Sequence, residues 1–257
     1  MSWWASVVGG TFGFAMGGPI GALLGAAVGN YFSQGMKRAA GMGGISAQRT
    51  QMAFFTALFS MMGHIAKSDG RVSKDEIALT EQVMGQMKLN AQQRKLAKEL
   101  FAKGKAEDFP YQEVLDQFRR ECHRSRNLIQ MFLEILMATA LADGSLSAKE
   151  RQHLESIASS LGFNQMMFNA LLSRMSAQFR FQGDVSPKDR LEDAYKVLGV
   201  SKDTPMADVK KAYRRLMSQH HPDKLVAKGL PEEMMEVATK KTQEIKSAYE
   251  VIKEARA

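Results

Sequence analysis

One cysteine, Cys122, stands in 257 residues, which excludes a disulfide framework and a multi-cysteine zinc site and fits a reducing compartment. Charge is missing altogether from residues 1–36; Lys37 is the first charged side chain and Arg38 follows it. No convincing two-residue alternation, the mark of a half-buried strand, occurs between 51 and 178, where the pattern is helical throughout. Nucleic-acid motifs are absent as well. A net charge of +8, from 35 basic and 27 acidic residues, invites a nucleic-acid reading. The basic residues are instead spread along helices without interleaved aromatics, which argues against nucleic acid as a partner.

The uncharged stretch predicts a membrane anchor over 1–36. Residues 5–32 form an apolar run longer than the ~20 residues that cross a bilayer as helix. Trp3 and Trp4 at one end and Tyr31 at the other suit the two interfaces. No positive region precedes the run, so a cleaved signal peptide is not expected. Lys37, Arg38 and Arg49 place the C-terminal side in the cytoplasm and the N-terminus opposite. Within the run, Gly9, Gly13, Gly17, Gly21, Gly25 and Gly29 recur at every fourth position. Small residues so spaced let two membrane helices approach closely, so homodimerisation through this stripe is expected, with a kink at Pro19. A flexible leader, or a hairpin bent at Gly18-Pro19, is the other reading.

Residues 37–50 read as a linker, flexible from Ala39 on, and 51–178 as a helical domain with an internal repeat. At an offset of 74 residues, Asp69-Gly70 matches Asp143-Gly144, Ser73 matches Ser147, and Glu76 matches Glu150. Each copy is a helix, a DG turn and an S-x-x-E capping box opening the next helix. The alternative makes Asp69 and Asp143 ligands of a divalent cation, although the carboxylates are sparser than in an EF-hand. Methionine is abundant at 18, and Met61, Met62, Met166 and Met167 lie in helical runs where core packing is the default expectation. This duplicated region resembles the tellurite-resistance TerB-like domain. Some members of that family are thought to bind metal, so the cation reading stays open.

Residues 179–188, with Gly, Ser and Pro and no periodicity, read as a hinge into a last unit, 189–257. Its centre is PMADVKKAYRRLMSQHHPDK, residues 205–224. Thr204 is placed to cap a helix that starts at Pro205, with Asp208 in its first turn. Val209, Ala212, Tyr213 and Leu216 form an apolar face, while Lys210, Lys211, Arg214 and Arg215 form a basic one. Pro222 ends the helix and leaves His221, Pro222 and Asp223 in a loop. A following helix carries Ile245, Ala248, Tyr249 and Ile252 on its own apolar face. The tripeptide can be an ordinary turn, a metal or acid–base site with His220, or part of a docking surface for an acidic partner. No Cys cluster or further nearby His supports the second.

DRLEDAYKVLGV, DVKKAYRRLMSQHHPDK and QEIKSAYEVIKE, in that order and spacing, resemble the three helices of a J domain. That resemblance implies docking on a DnaK-type chaperone. His221, Pro222 and Asp223 would couple docking to ATP hydrolysis, and Lys210, Lys211, Arg214 and Arg215 would attract the acidic partner. It also implies that Tyr195, Leu198, Tyr213, Leu216 and Tyr249 are core. The hydrolysis would be the partner's, so the chain is not expected to be an enzyme, and no cofactor is called for. Taken whole, the chain resembles the DnaJ-like membrane-anchored co-chaperones of Gram-negative bacteria, which implies a single pass through the inner membrane. The expected fold is all-α: a single N-terminal transmembrane helix, a duplicated helical TerB-like domain and a C-terminal J-domain hairpin. A membrane scaffold acting through the TerB-like region, or a cation sensor on its two DG turns, are the functional alternatives.

Overall fold

Helix α1, Met42–Ala66, carries Phe54, Ala57, Leu58, Phe59, Met61, Met62 and Ile65, all fully buried. A helix apolar on so many sides has to be enclosed. It is enclosed by α3 (Ala91–Gly104), α4 (Tyr111–Cys122) and α5 (Arg126–Ala140). The computed structural model describes residues 18–23, 42–67, 74–123, 125–142, 146–181, 183 and 186–256, and among them there is no strand.

The crossing of α1 and α3 depends on a reciprocal glycine pair. A Cβ on Gly63 would lie 2.0 Å from the Phe101 carbonyl oxygen, and one on Gly104 would lie 1.8 Å from that of Ser60. The two backbones touch there because neither residue has a side chain. On another side of α1, the rings of Phe54, Phe118 and Phe132 pack with centroids 4.2–6.1 Å apart. Cys122 is buried in the same core, and burial pushes its thiol up to about 12, so it packs as a small hydrophobe.

Around this centre lie α2 (Lys74–Gln86), α6 (Ala148–Ser160) and the first half of α7 (Gln165–Phe181). The second S-x-x-E signal is a capping box: the Glu150 carboxylate accepts from Ser147 N–H at 2.8 Å, and Ser147 Oγ accepts from Glu150 N–H at 3.2 Å. The first copy of that signal, and both DG turns, lie outside the described residues or side chains.

Two stretches read as linkers are partly helical. Residues 42–50 form the start of α1, where Thr50 Oγ1 donates to the Glu121 carbonyl and Arg49 pairs with the Glu121 carboxylate at 2.7 Å. Residues 179–181 complete α7, because Phe181 is buried in the core of the C-terminal unit. Met61 and Met62 are fully buried and Met167 partly so, whereas Met166 is 79% exposed and does not belong to the core.

The C-terminal unit comprises α8 (Pro187–Leu198), α9 (Met206–His220), the short α10 (Pro222–Val226), a 3-10 turn (Glu232–Met234) and α11 (Met235–Ala255). Helix α8 has Ser186 as its cap, Pro187 in its first turn and Gly199 in the left-handed conformation at its end, φ 67°. Tyr195, Leu198, Val209, Leu216, Ile245, Ala248 and Ile252 form the core, and the rings of Tyr213 and Tyr249 stack at 4.4 Å beside it. Ala177 and Phe181 of α7 complete this core, and Arg180 holds the buried Asp193 carboxylate with two hydrogen bonds. One helix therefore serves both units.

Residues 18–23 are helical and lie on α4, where Gln117 Oε1 accepts from Ile20 N–H at 2.8 Å. Gly21 is buried in this stretch; Gly9, Gly13, Gly17, Gly25 and Gly29 lie outside the described residues, as do Lys37 and Arg38. Among the described residues no helix is long and apolar enough to cross a membrane.

Candidate docking surface

Helix α9 begins one residue later than its sequence suggests. Pro205 occupies the cap position, and Thr204 Oγ1 accepts from Ser201 N–H at 3.1 Å instead of capping α9. Val209, Ala212 and Leu216 face the core. Lys210, Lys211, Arg214 and Arg215 are all exposed, so the structure displays the basic face as one continuous side of a rod.

The tripeptide is more ordered than a loop. Only His221 leaves the helical region, with φ −61° and ψ 124°, as the residue before a proline must. Pro222 then starts α10, where its missing N–H costs nothing, and Asp223 follows in the same first turn. The His221 carbonyl accepts from Leu225 N–H at 3.1 Å, and that of Asp223 accepts from Ala227 N–H at 2.9 Å. His221 and Asp223 are exposed, Pro222 is half-buried, and Lys224 donates to Ser218 Oγ at 2.7 Å across the bend.

The adjacent histidine does the opposite. His220 is 2% exposed and points into the N-terminal unit, with Nε2 3.7 Å from Glu134. Burial lowers its pKa to about 4; nearby Glu134 opposes this, and Lys241 and Arg174 reinforce it. A neutral imidazole at 3.7 Å forms neither an ion pair nor a hydrogen bond with the carboxylate. His220 and His221 therefore do not converge on one ligand. Among the described residues no group of three or more His, Cys, Asp or Glu side chains is arranged to hold a metal ion.

Glu134 itself escaped the sequence reading. It lies at 4% exposure within the apolar helix α5, 3.1 Å from Lys241 Nζ and 2.9 Å from Gln130 Nε2. Burial would raise its pKa, but Lys241, His220, Arg174 and Gln130 together hold it down to about 2, so it is a carboxylate at neutral pH. Lys241 also donates to Gln178, which in turn donates to Glu244. A groove of about 180 Å³ opens above these side chains, walled by Leu79, Val83 and Ile135.

Three family models match the chain: Tellurite resistance protein TerB over 55–173, DnaJ domain over 193–257, and Co-chaperone DjlA transmembrane domain over 1–39. The Co-chaperone protein DjlA of Photobacterium profundum is 41% identical over 270 residues, spanning 97% of this chain and 98% of its own length. That of Salmonella typhimurium is 42% identical over 267 residues, 99% of this chain and 98% of its own. That of Escherichia coli K12 is 41% identical over 268 residues, with the same coverage.

The chain belongs to the DjlA co-chaperone family. No solved structure matches it. Membership makes the C-terminal unit a J domain and the N-terminal unit a TerB domain, as their motifs suggested. A J domain implies an Hsp70-class partner, and the transmembrane-domain match implies membrane association. A bilayer-spanning position for residues 18–23 requires them to leave Gln117, since one segment cannot lie in lipid and on α4 together.

Proposed function

We propose that the chain is a membrane-anchored co-chaperone that docks on a DnaK-type chaperone through α9 and the His221-Pro222-Asp223 tripeptide and stimulates its ATP hydrolysis. One observation carries this reading. His221 and Asp223 are exposed at the tip of a helix whose four cationic side chains are also exposed, and a packed helical core holds that helix. Exposed charge of one sign steers encounter with an acidic partner, and a small rigid tip acts once contact is made. The ATPase is the partner's, and this chain supplies binding energy that favours one of its states.

The anchor is a single pass through a bacterial inner membrane. Lys37 and Arg38 hold the following domains in the cytoplasm, and the N-terminus is periplasmic. The glycines at positions 9 to 29 pair two such helices into a homodimer.

The test is the steady-state ATPase of a purified DnaK-type chaperone with the full chain in detergent micelles. His221→Gln is expected to abolish stimulation without altering helical circular dichroism, because His221 supports no core. Replacing Lys210, Lys211, Arg214 and Arg215 by Ala should raise the concentration needed for half-maximal stimulation. That defect should shrink as salt rises, since exposed charges are screened beyond ~8–10 Å at physiological ionic strength. Undiminished stimulation by a folded His221→Gln chain refutes the docking mechanism.

A further inference from the structure

A carboxylate buried in an apolar helix needs compensation, because several kcal/mol is the usual order of cost for an ion left unpaired. Glu134 is the only acidic residue of α5, and its carboxylate is almost wholly buried. Gln130 of its own helix gives it one hydrogen bond. The cation that pairs with it directly, Lys241, belongs to α11 of the J domain and is itself largely buried. The neutral ring of His220, the last residue of α9, closes the other side. Arg174 of α7 lies near enough to influence both Glu134 and His220.

Apolar contacts make the same junction. Leu225, Leu230, Met234 and Ala238 are completely buried, and they belong to the core of the TerB domain rather than that of the J domain. Gly229, with φ 97°, passes so close to α1 that a Cβ would stand 2.8 Å from Thr50 Cγ2. The tripeptide is thus an arc pinned at both ends: His220 is buried before it and Leu225 after it, while His221, Asp223 and Lys224 between them are exposed.

We propose that Glu134 is a positioning residue for the His-Pro-Asp tripeptide, acting through its ion pair with Lys241, beside the buried His220, to seat the J domain on the TerB domain. The seat presents the tripeptide and does not mask it, because the four cations of α9 and His221 and Asp223 all remain exposed. The TerB domain is on this account part of the docking apparatus. This inference rests on the co-chaperone reading for its consequence, but the seat itself can be tested without it.

The experiment compares the full chain in micelles with its Glu134→Gln, Lys241→Met and doubly substituted forms, by hydrogen exchange and by ATPase titration. Glu134→Gln keeps the shape of the side chain but removes the carboxylate that pairs with Lys241 at 3.1 Å and lies within electrostatic reach of Arg174. Backbone amides of 224–238 are expected to exchange faster, while those of α8 keep wild-type protection. The half-maximal concentration should rise about tenfold, corresponding to about 1.4 kcal/mol of lost preorganisation, with the plateau of stimulation retained. A general folding defect would lower the plateau and expose α8 as well. The double variant should lie closer to wild type than Glu134→Gln alone, since it buries one cation fewer.

Unchanged exchange over 224–238 in Glu134→Gln overturns the seat. Faster exchange with an unchanged half-maximal concentration, while the wild-type chain stimulates, overturns the positioning role. A wild-type chain that stimulates nothing defeats the co-chaperone reading instead, and exchange alone then decides whether the seat exists.

Discussion

Acid should loosen this protein well before its carboxylates titrate, and His220 is the reason. Its ordinary pKa of 6.5 falls to about 4 in the folded chain, because burial penalises the charged ring; Glu134 opposes this, while Lys241 and Arg174 add to it. The sign follows from which state binds the proton first. Between 6.5 and about 4 the unfolded chain takes up a proton that the folded chain refuses, so stability falls as pH falls across this window. At about 1.4 kcal/mol per pKa unit, the full loss is roughly 3 kcal/mol, complete near the lower end. His64, whose pKa is also lowered to about 4 by burial with His153 nearby, adds in the same direction, though its partial exposure makes it the smaller contributor. Glu134 contributes only at the lower edge of that window. Its folded pKa of about 2 keeps it ionised in the native state, and its own stabilisation is lost only as pH drops below the ordinary carboxylate value of 4.5.

The assay is urea unfolding of the full chain in micelles, followed by far-ultraviolet circular dichroism from about pH 7 to about pH 4. His220→Leu removes the titrating ring while leaving Glu134 its contact with Lys241. The wild-type chain should lose stability across the window, and His220→Leu should lose less of it. A flat wild-type profile, or the same slope in both chains, refutes the assignment of a neutral buried His220.

Two further outcomes follow from the glycines. Gly63→Ala should destabilise the TerB domain by about 3 kcal/mol or more, since a Cβ would meet the Phe101 carbonyl at 2.0 Å and backbone cannot yield as a side chain can. Gly85→Ala, in α2 with its nearest neighbour at 4.0 Å, should instead stabilise by about 0.5–1 kcal/mol; urea unfolding of both variants checks the contrast. In a membrane association reporter carrying residues 1–36, Gly17→Leu and Gly21→Leu should each weaken pairing at equal insertion, because bulk at mid-stripe holds two backbones apart. Equal signal from all three segments would assign the glycine period to something other than pairing.

How much of this was legible depends on whether the signal is local. The cap and C-terminal glycine of α8, the capping box at Ser147 and the break at His221 are decided by neighbours a few residues away, and the chain spells them out. The exposure of the α9 cations follows from helical phase in the same way. The seat between the domains is not local, yet its parts were visible. Val209, Ala212 and Leu216 are spaced three and four apart, and the next step of that stripe is His220. Ile252, Ala248 and Ile245, traced backwards, lead to Lys241 and then Ala238. Glu134 interrupts the apolar run of α5.

An ionisable residue in phase with a core face needs a partner, because water is not available to it there. One carboxylate and one ammonium in that position, on two different domains, are compatible with contact between those domains. What the sequence cannot supply is the choice of partner. Arg174 is a second cation within electrostatic reach of Glu134, and nothing in residue order says that Lys241 makes the contact. Three-dimensional packing decides that. It does so by sinking Leu225, Leu230, Met234 and Ala238 into the TerB core, which carries α11 to α5 and brings Lys241 Nζ to 3.1 Å from Glu134.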